Sequence, residues 1–271
     1  MVKQLILLVL LLAAPLSTQA REISDTELKQ IAGLIFQNEC ASKDSCLTSW
    51  NEGEEFASLG IGHFIWYPAG SNKTFSESFP ALMAFMTERD EKLPGWLAAN
   101  PERPNPWPDR ERFLAAFHSA ALSELRQFLV DTKAVQAQLM QQRFKRALPG
   151  LLEGLEAEKE AQVRAQYERV ANSPMGFYAL IDYVNFKGEG INPQERYEGY
   201  GWGLLQVLEH MDGSDVGVGA IQAFAASADK MLTRRVELSP AERNESRWLS
   251  GWRKRLATYV REAKRLEQAR M

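Results

Sequence analysis

The sequence predicts a mainly helical α+β domain with one small β hairpin near its N-terminus, and three observations carry that prediction. Hydrophobic residues fill 45% of the 271 positions and charged residues 25%, an ordinary globular balance that excludes a mainly disordered, collagen-like or polytopic membrane chain. Between Leu47 and Pro68 the apolar residues leave helical spacing and mix with Gly53, Gly60 and Gly62, as in a hairpin or small sheet. On both sides of that stretch apolar residues recur every three or four positions, which is the mark of helices packed on a core.

The first twenty residues stand apart from the fold. Lys3 is followed by the apolar run Leu5 to Leu12 and then by Leu16-Ser17-Thr18-Gln19-Ala20, which reads as a cleaved signal peptide. The run is short for a membrane span, and no Cys follows closely enough for a lipid anchor; retention as an uncleaved signal anchor is the alternative. Cleavage leaves one domain, residues 21–271, with formal charge -4, because the segment carries Lys3 and no acid. Such a balance gives no basic field for nucleic acid or an anionic membrane. Cys40 and Cys46, the only cysteines, are expected in an exported chain to form a local disulfide, against the alternative of two thiols that never meet.

Ser24-Asp25-Thr26-Glu27 is a capping box, and Leu28, Ile31 and Ile35 then define one apolar helix face. Four residues further on that face stands Glu39. Burial and the negative end of the helix dipole there favour a protonated carboxyl, whereas a frayed helix end would leave it in solvent. After the hairpin, Ser76 to Arg89 reads as a helix, and the four prolines between Asn100 and Asp109 break one. Phe113, Phe117, Leu125, Phe128 and Leu129 mark one long amphipathic helix, and Leu151 to Val170 a charged one. Ser173-Pro174 opens a strongly apolar helix through Phe177, Leu180, Ile181 and Val184, expected at the centre of the fold and ending at Gly188. A loop to Gly201, a helix over Trp202 to Met211, another from about Ala220 to Val236 and a last one starting at Ser239-Pro240 complete the reading.

Glu39 followed by Ser58-Leu59-Gly60-Ile61-Gly62-His63 resembles the active-site stretch of phage-type lysozymes, in which a helix ends in the catalytic Glu and a hairpin carries Thr-Ile-Gly-Ile-Gly-His. Ala179 to Gly190 is similar to the central buried helix of those enzymes, and Met231 to Val236 more weakly to their Arg-rich C-terminal helix. The resemblance implies a lysozyme-like helical domain, with blocks at 24–67 and 174–236 and a helical insertion at about 75–172. It covers about a third of the mature chain. Departures accompany it. The 19 residues from Glu39 to Ser58 exceed the family interval by about four, and Ser58 replaces the family's Thr while keeping a hydroxyl. The second carboxylate falls on Glu52 in place of Asp, with Asn51, Glu54 and Glu55 close enough to take its part.

A second resemblance competes. Glu189-Gly190-Ile191-Asn192-Pro193, followed by Gly201-Trp202-Gly203-Leu204-Leu205-Gln206, looks like the lytic transglycosylase pattern of a catalytic Glu, Asn-Pro and a later Gly-Leu-Met-Gln. Both families share the lysozyme-like fold and the same polymer, but they imply different acids. Glu39 is favoured, since it alone precedes a Gly-rich hairpin at a helix end.

Cleavage of a β-1,4 glycosidic bond needs a protonated carboxyl at the leaving oxygen and a carboxylate or positioned water on the opposite face. Glu39 is expected to supply the first, and Ser58 with Glu52 or a neighbour the second. Trp50, Trp66 and Tyr67 are candidates for sugar subsites, with core packing the commoner fate of such rings, and Gln206 is a further candidate. Gly60, Gly62 and His63 take structural roles, the resemblance implying that His63 pairs with an acid. No zinc-spaced cluster, phosphate loop or nucleophile elbow is present, so neither metal nor cofactor is expected. The expected partner is peptidoglycan glycan strands, in a bacterial periplasm or secreted. Two function classes follow: an exported muramidase or transglycosylase, and a catalytically silent lysozyme-like protein that binds glycan or another protein.

Overall fold

A computed structural model describes residues 23–193 and 195–270; the expected signal peptide lies outside the described residues. The first helix, α1 (Asp25–Cys40), starts as its capping box requires. Ser24 Oγ accepts from the Glu27 amide at 3.3 Å, and Leu28, Ile31 and Ile35 are buried. Ala41 ends the helix in the left-handed region, φ 49°. A 3₁₀ turn, Asp44–Leu47, then brings Cys46 back to Cys40. The two are joined by a disulfide, with Cα atoms 5.4 Å apart.

Three short strands follow, β1 (Thr48–Ser49), β2 (Ala57–Leu59) and β3 (Phe64–Trp66), antiparallel in that order, with Ser58 between Ser49 and Ile65. Gly60 turns the β2–β3 connection at φ +68°, and a Cβ there would collide with the Gln136 side chain. The close approach lets Gln136 Oε1 accept from the Ile61 amide at 2.9 Å, tying the hairpin to a helix 75 residues away.

The segment between the hairpin and the central helix is helical, as expected, but divided differently. It contains α2 (Phe79–Thr87), α3 (Gly95–Ala98), α4 (Arg110–Ala115), α5 (Ala120–Asp131), α6 (Lys133–Leu152) and α7 (Ala157–Ala171). The single long helix expected around Phe113 to Leu129 is two, because Ser119 is itself an N-cap, its Oγ accepting from the Leu122 amide. The charged helix expected from Leu151 starts only at Ala157, since Gly154 sits at φ +79°. Trp66, Phe79, Trp96, Trp107, Phe113 and Trp50 pack ring against ring beneath the sheet, at centroid distances of 4.5–6.3 Å. Much of the tryptophan content therefore serves a second, aromatic part of the core.

The central helix, α8 (Gly176–Lys187), is buried along its first eight residues and packs against α1, α6 and α7. The loop after it, for which the sequence pattern predicts no strand, holds a small hairpin of two-residue strands, β4 (Arg196–Tyr197) with β5 (Tyr200–Gly201). Next come α9 (Leu204–Glu209), α10 (Val218–Leu238) and α11 (Ser246–Gln268). The last helix begins later than expected, because Pro240 leads only into a 3₁₀ turn, Ala241–Arg243. Helices α10 and α11 pair along their length, and α11 also packs on α8. One hydrophobic core runs from Leu28 to Leu266. Among the described residues no helix is long and apolar enough to cross a membrane.

Candidate active site

Four helical turns of α1 carry its apolar face to Glu39, whose side chain remains 21% exposed at the helix end. A guanidinium rather than apolar surface meets that carboxyl. Arg255, from α11, donates through Nη2 to Glu39 Oε1 at 2.8 Å and to Asp182 Oδ1 at 2.7 Å, and through Nε to Asp182 Oδ2 at 2.8 Å. Asp182 is 1% exposed in the middle of α8 and is satisfied from every side. It also accepts from Asn38 Nδ2 at 2.9 Å and from the Tyr259 hydroxyl at 2.6 Å. Burial works against the charge on Arg255, but the hydrogen bonds and charge of Asp182 outweigh it and raise its pKa. Burial and then Asp182 push Tyr178 up to about 12 and Tyr259 well above its ordinary value, so both stay protonated donors.

Cations stacked on aromatic rings extend from this network. Arg255 lies 4.6 Å from the Phe186 centroid, and Lys187 lies 4.1 Å from Phe186 and 3.5 Å from Trp252. Arg235 stands over Trp202 at 4.1 Å and is clamped by Glu245 at 2.7 and 3.0 Å. Burial, aided by the charge of Arg235, pulls Lys187 down to about 7.

A cleft of about 500 Å³ opens where the β2–β3 hairpin, α6 and the end of α8 meet. Gly62 and Phe64 form its hairpin wall, Met140, Arg143, Phe144 and Arg146 its α6 wall, and Ile181, Val184, Asn185 and Glu189 its α8 side. Glu39, Asp182 and Arg255 do not themselves line this cleft, and the network is related to it only through neighbours in the chain. Asp182 follows Ile181, and Cys40 lies against His63, which stands between Gly62 and Phe64.

Glu189 is held by its backbone. Helix α8 stops at Gly188, φ +81°, and the carbonyls of Gly188 and Glu189 accept from the amides of Leu204 and Leu205 at 3.0 and 2.9 Å. Gln206 closes the clasp, donating through Nε2 to the Gly190 carbonyl at 3.0 Å while its Oε1 accepts from the Gly203 amide at 3.0 Å. A Cβ on Gly203 would collide with Gly190. The two halves of the transglycosylase-like pattern thus meet in space. Gln206 was expected at a sugar subsite, but it is buried and spends both ends of its amide on main chain.

Other expected site residues are placed as follows. Trp50, Trp66 and Tyr67 are core residues rather than cleft walls; Trp66 and Tyr67 are at most 1% exposed, which leaves no ring face for a sugar. Ser58 is buried in the central strand, and its carbonyl accepts from Ser49 Oγ at 3.1 Å. Glu52 and Glu55 are exposed, and Glu54 accepts from Asn51 Nδ2 at 3.0 Å. His63 was expected beside an acid, but among the described residues no carboxylate pairs with it. Its ring instead lies within 4.8 Å of the Cys40 and Cys46 sulfurs, which are bonded to each other.

Asp182, Arg255, Arg143, Arg146 and Lys187 were not singled out from the sequence. A signal existed for Asp182, a lone acid inside Ala179-Leu180-Ile181-Asp182-Tyr183-Val184. A scan against protein-family models, a search of curated proteins and a search of solved structures each find no match to this chain.

Proposed function

We propose that the chain is an exported enzyme that cleaves the β-1,4 glycan backbone of peptidoglycan, with Glu39 as the general acid. The observation that carries this reading is the placement of Glu39, partly exposed at the C-terminal end of α1, where the Cys40–Cys46 disulfide lies beside His63 of the Gly-rich hairpin. Two carboxylates on one cation leave one negative charge in excess. Asp182 takes two bonds from Arg255 and one each from Tyr259 and Asn38, so its charge is fully met. Glu39 takes a single bond from Arg255 and is the member of the pair that keeps solvent access. The disulfide and the signal-like first twenty residues support export.

Glu189 supports a second assignment of the acid within the same function, because it is itself one of the residues that line the cleft. Mass spectrometry of purified sacculi incubated with residues 21–271 tests both. Reducing-end muropeptides mean hydrolysis, anhydro ends mean transglycosylation, and intact glycan sinks the enzyme in favour of a binding protein. Glu39→Gln is expected to abolish cleavage and Glu189→Gln to leave most of it, since Gln keeps the shape but has no transferable proton. The opposite pattern moves the acid to Glu189.

A further inference from the structure

We propose that Arg143 and Arg146 form an oxyanion-reading wall of the cleft, so that its ligand is a glycan bearing carboxylates, on lactyl or short peptide substituents, rather than a neutral one. This deepens the glycosidase reading and rests on it for the glycan. Both arginines line the same cavity from one helix, three residues apart, and both are exposed. Residues at that spacing are neighbours on a helix surface, and two like charges there repel.

An acid could relieve that repulsion, yet among the described residues neither guanidinium has a carboxylate partner. Other arginines do: Arg164, Arg235, Arg253 and Arg255 each meet one at 2.6–2.8 Å. The chain has more acids than bases, 35 against 32, so an uncompensated basic pair in this cleft runs against its overall charge. Glu189 lines the same cavity without reaching either guanidinium, and the cleft therefore has a cationic wall and an acidic end. An anionic substituent is drawn to the wall and kept away from Glu189, which fixes the direction in which a strand lies.

Guanidinium forks match carboxylates in a two-point geometry, and Phe64, Met140 and Phe144 line the same cavity as apolar neighbours. A neutral chitin chain would offer these groups nothing that water does not.

The test is equilibrium binding, by calorimetry, of N-acetylmuramyl dipeptide and of chitotetraose to residues 21–271. The wild type is expected to prefer the acidic probe. Arg143→Ala with Arg146→Ala should weaken that probe about tenfold, the size of one lost charge-assisted contact, and leave chitotetraose within about twofold. Both side chains are exposed, so the unfolding midpoint should stay unchanged and serves as the folding control. Equal affinity for the two probes, or an unaltered double variant, overturns the proposal. Displacement of the acidic probe by inorganic phosphate at lower concentration than by lactate overturns the carboxylate assignment. The enzyme reading fails separately: intact sacculi alongside an arginine-dependent preference for the acidic probe sinks catalysis and leaves this recognition standing.

Discussion

Arg255 donates to Glu39 at 2.8 Å across 216 residues of chain, so the last helix closes onto the end of the first. The same guanidinium holds Asp182, which joins α1, α8 and α11 through one charged group. Asp182 cannot be solvated where it sits. Its charge is tolerated because Arg255, Tyr259 and Asn38 fill its acceptor sites.

Removing Arg255 should therefore cost far more than one surface ion pair. Arg255→Met is expected to lower unfolding free energy by about 3–5 kcal/mol, because it strands a buried carboxylate. Adding Asp182→Asn should recover part of that loss. Urea unfolding of the two single variants and the double measures the coupling, and strict additivity would show that the two residues do not act as a pair.

The disulfide should make a modest, local contribution. Cys40 and Cys46 close a loop with a sequence separation of 6, for which chain entropy predicts a loss of about 2 kcal/mol in Cys40→Ser with Cys46→Ser. The bridge holds the end of α1 next to His63 and hence next to the cleft wall. Unchanged stability in the double variant would mean that the 3₁₀ turn holds the loop unaided.

The helical class, the N-terminal hairpin and the burial of α8 were legible because each rests on local periodicity and on Gly or Pro signals. Ser24, Gly60 and Gly188 act where the sequence places them. The split at Ser119 was also written locally but was masked by apolar spacing that continues in phase across it. The surroundings of the candidate acid were not legible. Nothing near Glu39 announces an arginine from the far end of the chain, and the Arg-rich segment Met231 to Val236 drew attention to α10 instead of α11. Sequence alone did not decide between core and cleft for the aromatic residues, for a related reason. Trp50, Trp66 and Tyr67 flank the hairpin in sequence, but rings in both cores and clefts look alike until the packing partners, here Phe113, Phe79 and Phe56, are known.

Gln206 offers a direct contrast between a structural and a ligand-binding role. Gln206→Ala leaves the Gly190 carbonyl and the Gly203 amide buried without their partner, and each such group costs about 1–3 kcal/mol. A fall in the unfolding midpoint of that order is expected, with saccharide affinity changing only as the Glu189 loop loosens. An unaltered midpoint with lost saccharide binding would return Gln206 to the ligand.

Lys187 should leave a mark on the pH dependence of stability. Its folded pKa is about 7 against an ordinary 10.5, depressed first by burial and then by Arg235 and Arg255, with Glu245 opposing them. Between these two values the unfolded chain binds the extra proton, so the free energy of unfolding rises with pH through that window; below about 7 the lysine is charged in both states and its burial penalty is fully present. Lys187→Met removes the titrating group while keeping a long apolar stem between Phe186 and Trp252. Urea midpoints measured from about pH 7 to about pH 9 should climb in the wild type and climb less in the variant, which should be the more stable of the two at the acidic end. Parallel curves would show that the ammonium is as well solvated in the folded chain as in the unfolded one, and that the cations around Trp252 impose no cost on it.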